Sequence, residues 1–161
     1  MKNPNHQGGI VPYANPAGEA SGVTWKYNDQ IVIQDTGRPP KDFVDFEVRG
    51  GFPDLKNMTL TGFFKSKNGI PFNLNLDCTI RKDNHLFLDD EAGRFNCADQ
   101  VYRDATVYGL RETTAPVCAK GDGKYFVRVK WSMASQGSTP SGVQEVQSQR
   151  WTCSDGRAHF G

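Results

Sequence analysis

The stretch Pro71–Arg81, PFNLNLDCTIR, has an apolar residue at every even position and, after Pro71, a polar residue at every odd position. Because successive side chains of a β-strand point to opposite faces, this alternation predicts a strand with one buried and one solvated face. Leu74, Leu76 and Ile80 are expected to be buried. Cys78 falls on the same face, where a disulfide would tie the strand to whatever covers it. The rest of the chain is predicted to be sheet built around this strand.

Seven further segments have the composition of strands and are separated by turns rich in Gly, Pro, Asn and Asp. No segment shows an apolar pattern at helical spacing. Strands of this number with tight turns predict an all-β fold, either an antiparallel β-barrel or a β-sandwich. The further predicted strands are 23–34, 43–49, 58–67, 85–88, 101–111, 124–133 and 143–153.

One turn and one glycine carry specific expectations. Asn68-Gly69 is a typical two-residue hairpin signal and predicts that strands 58–67 and 71–81 pair antiparallel. Gly62, inside strand 58–67, predicts a bulge or a close approach of another backbone.

The length of 161 residues is usual for one domain. Residues 1–22 are rich in Gly, Pro, Asn and Ala without periodicity, which predicts a flexible N-terminal tail that Val11 or Tyr13 would dock. Residues 23–153 are predicted to form a single β domain. Residues 154–161 are predicted to be a C-terminal tail.

Charge and hydropathy exclude two classes of partner. The formal net charge of +1 argues against a nucleic-acid binder, which normally carries a basic stripe. No apolar run is long enough to span a bilayer. Met1 is followed by a polar segment instead of a secretory signal, so both a cytosolic protein and the mature form of a secreted protein agree with this start.

The four cysteines favour secretion. Cys78, Cys97, Cys118 and Cys153 form no CxxC pair, and an even count in a small strand-rich chain is typical of two disulfides made in an oxidising compartment. The alternative is four buried free thiols in a cytosolic protein. Four cysteines allow three pairings, and their order along the chain favours the sequential pairs Cys78–Cys97 and Cys118–Cys153.

The sequon Asn57-Met58-Thr59 gives weak further support for secretion, with Asn57 as the predicted glycosylation site on the surface. The run Asp89-Asp90-Glu91, near Asp83 and Asp99, has the oxygen ligands that calcium prefers. It lacks the spacing of an EF-hand, so a solvated acidic turn is the favoured interpretation. No metal and no cofactor are predicted.

Catalytic chemistry has little support. A nucleophile needs a neighbouring histidine and carboxylate, but the cysteines are predicted to be bridged, His6 and His159 fall in the tails, and no motif surrounds His85. Paired carboxylates of a glycosidase have no motif here either. No catalytic residue is predicted, and an enzyme is the weakest of the functions considered.

Four aromatic residues are better candidates for a binding surface. Tyr102 and Tyr108 are predicted to share the polar face of their strand, and Phe63 and Phe126 lie opposite the main apolar faces of theirs. Arg128, near Phe126, is expected to be solvated. Exposed aromatic rings stack on sugars and phenolics or anchor protein partners. The alternative is a second, minor core under the tail or a loop.

Several features follow one another in a particular order along residues 23–153. They are Trp25-Lys26, the F-x-V of Phe46-Glu47-Val48, Asp77-Cys78, the acidic turn, Arg94-Phe95-Asn96-Cys97, the V/Y strand 101–111, Cys118 and Trp151-Thr152-Cys153. This order resembles the secreted fungal proteins related to the major allergen of Alternaria, a family that includes elicitors and effectors of plant cell death.

The resemblance implies a compact β-barrel with two intrachain disulfides, no enzymatic activity, and binding to plant defence proteins or small phenolics. The extra cysteine that links some members is missing, so a monomer or a weak non-covalent dimer is expected. The predicted function is a secreted, non-enzymatic, fungal effector-like or elicitor-like protein acting on host or cell-wall targets. Its predicted partner is a host extracellular protein, a glycan or a small phenolic. The alternative is a carbohydrate-binding β-sandwich module.

Overall fold

The computed structural model describes residues 11–12, 23–33, 42–84, 89–97, 99–102, 106–135 and 144–159. Within these ranges every helix or strand element is a β-strand, so the all-β prediction is confirmed. Of the two predicted alternatives, these residues form the sandwich. The predicted strand 85–88 and most of the predicted tail 1–22 lie outside the described residues.

The strands are β1 (Val11–Pro12), β2 (Val23–Ile33), β3 (Asp42–Asp54), β4 (Asn57–Ser66), β5 (Phe72–Lys82), β6 (Asp90–Arg94), β7 (Asp99–Tyr102), β8 (Val107–Pro116), β9 (Gly123–Ser135), β10 (Gln144–Gln147), β11 (Trp151–Ser154) and β12 (Arg157–His159). Sheet I has the order β1-β2-β3-β4-β8-β7. Sheet II has the order β12-β11-β9-β5-β6, and β10 also pairs with β9. Every pairing is antiparallel.

The two sheets bury a shared core between them. Phe46 of β3 stacks on Phe64 of β4, with ring centroids 4.2 Å apart, and meets Trp131 of β9 edge-on at 4.8 Å. These rings therefore join sheet I to sheet II, as interdigitating inner faces do in sandwiches. In β5, Leu74 and Ile80 are buried as predicted, whereas Leu76 is only partly buried against the core.

Both predicted disulfides are confirmed. Cys78 pairs with Cys97 across a Cα separation of 6.2 Å, and Cys118 pairs with Cys153 across 5.7 Å. The first bond ties β5 to the segment after β6, where the Phe95 N–H also donates to the Cys78 carbonyl at 3.0 Å. The second ties β11 to the turn that leads into β9. Both bonds therefore brace sheet II.

The predicted hairpin between β4 and β5 is wrong. A turn does form at Asn68-Gly69, with Gly69 at φ 70° and the Ile70 N–H donating to Ser66 Oγ at 2.8 Å. The turn carries the chain from sheet I to sheet II, and the two strands do not pair, since both edges of β4 are taken by β3 and β8. An Asn-Gly sequence specifies the local turn but not the partner of the strand that leaves it.

Gly62 behaves as predicted on both counts. The register of β4 against β8 shifts between Leu60 and Gly62. A Cβ at Gly62 would also collide with the carbonyl oxygen of Glu47 and lie 3.1 Å from the Cα of Val48. The backbones of β3 and β4 thus approach each other at a point where only glycine fits.

Predicted boundaries change in several places. The predicted strand 143–153 is two strands, β10 and β11, which both pair with β9. The predicted strand 43–49 continues to Asp54. The predicted strand 101–111 is two strands, because β7 ends at Tyr102 and pairs with β8 as a hairpin. The predicted C-terminal tail includes β12, which pairs with β11 and buries Ala158. The Ala158 N–H donates to the Leu55 carbonyl at 2.8 Å, so the last hairpin contacts the β3–β4 turn of sheet I.

Candidate functional site

The outer face of sheet I has an exposed aromatic ring near the middle of strand β4. Phe64 and Phe46 point into the core, so Phe63 lies on the opposite, outer face. Its exposed fraction is 38%, and it is the exposed large apolar side chain among those whose side chains the structure describes. The prediction that Phe63 stands on the surface is confirmed.

The neighbours of Phe63 explain why it is exposed. Its partner across the β4–β8 pair is Gly109, which has no side chain to cover the ring, and its partner on β3 is Glu47. Side chains directly opposite each other on paired strands are about 5 Å apart at Cβ, so a larger residue at the Gly109 position would pack on the ring.

Polar side chains surround the ring on the β2 and β3 side. The register places Asn28 opposite Glu47, and Gln30 opposite Asp45, while Lys65 lies opposite Asp45 on its other side. Together with Phe63 these residues line a shallow, open depression of about 710 Å³. We call this surface the Phe63 face; its members are Phe63, Asn28, Gln30, Asp45, Glu47 and Lys65.

The charges of the Phe63 face balance. Glu47 Oε2 lies 3.2 Å from Arg49 Nε, just outside the depression. Asp45 has Lys65 as its cross-strand neighbour and accepts a hydrogen bond from Gln30 Nε2 at 3.1 Å. Among the side chains that the structure describes here, two carboxylates are thus matched by two cationic groups, with amide and carboxylate groups facing solvent.

The outer face of sheet II is arranged differently, around a half-buried carboxylate. Asp89 Oδ1 accepts from Arg81 Nε at 2.6 Å, and Oδ2 accepts from Arg128 Nη2 at 2.7 Å. Burial would raise the pKa of Asp89, but the Arg81 hydrogen bond and the charges of Arg128 and Arg81 outweigh it and lower the pKa. The Arg128 side chain is only 17% exposed, so the expectation that it is solvated is wrong.

Phe126 is not an exposed aromatic, contrary to the prediction. It is 1% exposed although it is out of phase with Tyr125 and Val127, which belong to the core. The guanidinium of Arg150 lies over its ring at 4.2 Å and that of Arg128 at 5.7 Å. Phe126 thus packs in a small second cluster on the outer side of β9, the alternative considered for the aromatics.

Tyr108 is also buried, at 4% exposure, so its predicted role in binding is wrong. Its ring lies 4.8 Å from that of Phe72, and its hydroxyl donates to the Phe72 carbonyl. The split of strand 101–111 explains the error, because the β7–β8 register pairs Tyr108 with Val101 and Tyr102 with Val107. Tyr108 and Tyr102 therefore belong to different strands. The side chain of Tyr102 lies outside what the structure describes, so its binding role stays a prediction.

The acidic run 89–91 forms ion pairs among the described residues. Besides Asp89, Glu91 Oε1 lies 3.0 Å from Arg94 Nη2, and Asp90 accepts a hydrogen bond from Asn84 at 2.9 Å. No group of three or more His, Cys, Asp or Glu side chains is placed to share a metal ion in the part of the chain that the structure describes.

Asn57 begins β4 and is partly buried. Its Nδ2 donates to both carboxylate oxygens of Asp54, at 3.1 and 3.2 Å. The backbone amide of Lys56 and the side chain of Asn57 lower the pKa of Asp54. Glycosylation of Asn57 stays a prediction.

The residues considered for catalysis are not brought together. All four cysteines are in disulfides. His159 is exposed on β12, and His6 and His85 lie outside the described residues. No helix in the described ranges is long and apolar enough to cross a membrane.

Comparison of the chain with models of protein families, with curated proteins and with solved structures found no match. The resemblance to the family of the major Alternaria allergen therefore stays a prediction. Sequence reasoning identified Phe63 but missed the polar members of its face. The alternation of Val44, Phe46 and Val48 with Asp45 and Glu47 is visible in the sequence, yet only the β2–β3–β4 register shows that the two carboxylates adjoin Phe63.

Proposed function

We propose that this protein is a secreted, non-enzymatic binding protein that recognises its partner with the Phe63 face. The observation that supports the proposal best is the 38% exposure of Phe63 within a set of polar side chains. An aromatic ring on a rigid sheet offers contact area at little entropic cost, and the polar groups around it orient the partner.

Two further features support the broader assignment. Paired disulfides are typical of proteins made in an oxidising compartment, which favours secretion. The same bonds leave no cysteine thiolate as a nucleophile.

A narrower proposal follows from the family resemblance alone. In that proposal the protein is a fungal effector-like or elicitor-like protein, and its partner is a host extracellular protein, a small phenolic or a glycan of the cell wall. The partner would approach the outer side of sheet I, since Phe126, on the outer side of sheet II, is covered by Arg150.

The test is retention of binding partners by immobilised protein. Wild type, Phe63→Ala and Phe63→Trp are incubated with extracellular fluid of plant tissue and, separately, with insoluble cell-wall material. We expect material that wild type and Phe63→Trp retain and Phe63→Ala loses. The matched control is Asn73→Ala, which removes an exposed side chain from β5 on the other sheet. Equal retention by Phe63→Ala and wild type would contradict a binding role for this face.

A further inference from the structure

The charge and hydrogen-bonding groups of the Phe63 face point to one class of ligand. We propose that the face binds a neutral saccharide, with a sugar ring packed on Phe63 and its hydroxyls bound by Asn28, Gln30, Asp45 and Glu47. This inference rests on the proposed function and names the ligand of the same surface.

The Phe63 face is chemically complementary to a sugar. A pyranose ring presents C–H groups on its face and hydroxyls around its rim, and each hydroxyl both donates and accepts. Phe63 supplies an apolar surface for the C–H groups. Amides such as Asn28 and Gln30 donate and accept hydrogen bonds, while the carboxylates accept them. The surface can therefore bond a hydroxyl that acts as a donor or as an acceptor.

The charges of the Phe63 face disfavour an ionic ligand. A cationic ligand near Asp45 and Glu47 would also meet Lys65 and Arg49, and an anionic ligand would meet the two carboxylates. Like-charge contacts of this kind disfavour either ion. A neutral ligand with many hydroxyls suffers neither repulsion and can bond both kinds of group.

The shape of the depression favours an extended ligand. The depression has a volume within the roughly 300–1,000 Å³ usual for ligand sites, but it is open instead of enclosed. A small phenolic gains most from an enclosed apolar pocket, whereas an open surface lets a polymer extend beyond its ends. A protein interface usually centres on a cluster of large apolar residues, and among the side chains that the structure describes Phe63 is the exposed large apolar one.

The rotation of Gln30 and Asp45 is already restricted before a ligand arrives. Their side chains are joined by the 3.1 Å hydrogen bond on neighbouring strands of the sheet. A restricted side chain loses less conformational entropy on binding than a free one. This arrangement favours a ligand whose hydroxyls match a set geometry, which is typical of sugar recognition on rigid sheets.

The experiment is a nuclear magnetic resonance titration of the isotopically labelled full chain. The probes are soluble, neutral hexasaccharides of glucose, xylose, mannose and N-acetylglucosamine, each at millimolar concentration. We expect at least one of them to shift the amide signals of Asn28, Gln30, Asp45, Glu47 and Phe63. Signals of Asn73 and Asn75 on the outer face of sheet II should not move.

Variants separate stacking from general apolar contact. Phe63→Trp should bind as well as wild type or better. Phe63→Leu should bind about tenfold more weakly, because it keeps an apolar side chain but loses the aromatic face. Gln30→Ala should weaken binding, and Asn73→Ala should not change it. Equal affinity of Phe63→Leu and wild type would overturn the inference.

The two proposals fail in different ways. If no hexasaccharide shifts these signals, while retention from plant material still depends on Phe63, the surface binds a partner but the saccharide inference is wrong. If Phe63→Ala changes neither the saccharide-induced shifts nor the retention of plant material, the saccharide inference and the proposed function are both wrong. A saccharide that shifts signals only on sheet II also overturns the inference.

Discussion

A phenylalanine is buried on the outer face of one sheet and exposed on the outer face of the other. Phe126, on sheet II, is 1% exposed beneath the guanidinium groups of Arg150 and Arg128. Phe63, on sheet I, is 38% exposed and has Gly109 as one cross-strand partner. Both residues occupy the polar phase of an alternating strand. Their exposure is therefore decided by what the neighbouring strands and loops supply, which here is arginine in one case and glycine in the other.

The difference extends to the surroundings. Sheet II has both disulfides and the ion pairs of Asp89 with Arg81 and Arg128. On the outer face of sheet I, Asp45 accepts a hydrogen bond from Gln30 and Glu47 lies beside Arg49, both at the surface. Sheet II uses its outer side chains for stability, and we infer that sheet I uses its outer side chains for binding.

The largest effect should come from Phe126→Ala. Removing a buried phenylalanine ring normally lowers the free energy of unfolding by about 3–5 kcal/mol, and Phe126 is almost completely buried. Urea denaturation of the purified protein measures this loss. Phe126→Leu, which keeps most of the volume, is the matched control and should lose much less. A loss below about 1 kcal/mol for Phe126→Ala would mean that the arginine-covered cluster contributes little.

A smaller loss is expected for Asp89→Asn. The substitution leaves Arg81 and Arg128 without their shared carboxylate charge, and we expect a loss of about 2 kcal/mol in unfolding free energy, since both arginines are about four-fifths buried. The neighbouring Asp90→Asn is the control, because Asp90 is exposed, and it should change stability by no more than about 0.5 kcal/mol. Equal effects of the two substitutions would contradict a special role for Asp89.

The same pair of variants makes the pH dependence testable. The pKa of Asp89 is lowered in the folded protein, so its stabilising contribution is complete above the unfolded pKa of about 3.9 and is lost as the pH falls through the folded pKa. The stability difference between wild type and Asp89→Asn should therefore hold at neutral pH and shrink below about pH 4. A difference that stays constant down to about pH 2 would show that the charge of Asp89 is not its source.

The smallest effect on stability is expected for Phe63→Ala. Because the ring is 38% exposed and Gly109 does not pack on it, the unfolding free energy should change by no more than about 0.5 kcal/mol. The loss of unfolding free energy in Phe126→Ala, measured under the same conditions, should be much larger than in Phe63→Ala. A loss as large as that of Phe126→Ala would place Phe63 in a structural cluster and remove it from the binding surface.

Local patterns in the sequence predicted local structure well. The alternation of 71–81 identified β5, and the order of the cysteines along the chain identified both disulfides. Strand partners were harder to predict, because pairing is decided by the whole set of edges that compete for each other. The Asn68-Gly69 turn was recognised, but it leads into the other sheet, since β5 pairs with the longer β9 and not with β4.

The candidate site was only partly predictable for the same reason. Phe63 and Phe126 have the same local pattern, and only tertiary contacts distinguish them. Tyr108 was placed on the wrong face because the chain turns between Tyr102 and Val107, where no glycine or proline marks the turn. The polar members of the Phe63 face come from three strands, and their proximity depends on a register that one sequence does not reveal.

The Cys118–Cys153 bond has a mechanical consequence. It closes a loop with a sequence separation of 35 residues that contains β9 and β10, the centre of sheet II. Tension applied to the two ends of the oxidised chain would pass through the sulfur atoms and bypass this loop. The bond therefore withholds roughly 120 Å of chain from any extension. The strands of sheet I lie outside the loop and would unfold under tension, whereas β9 would carry no load.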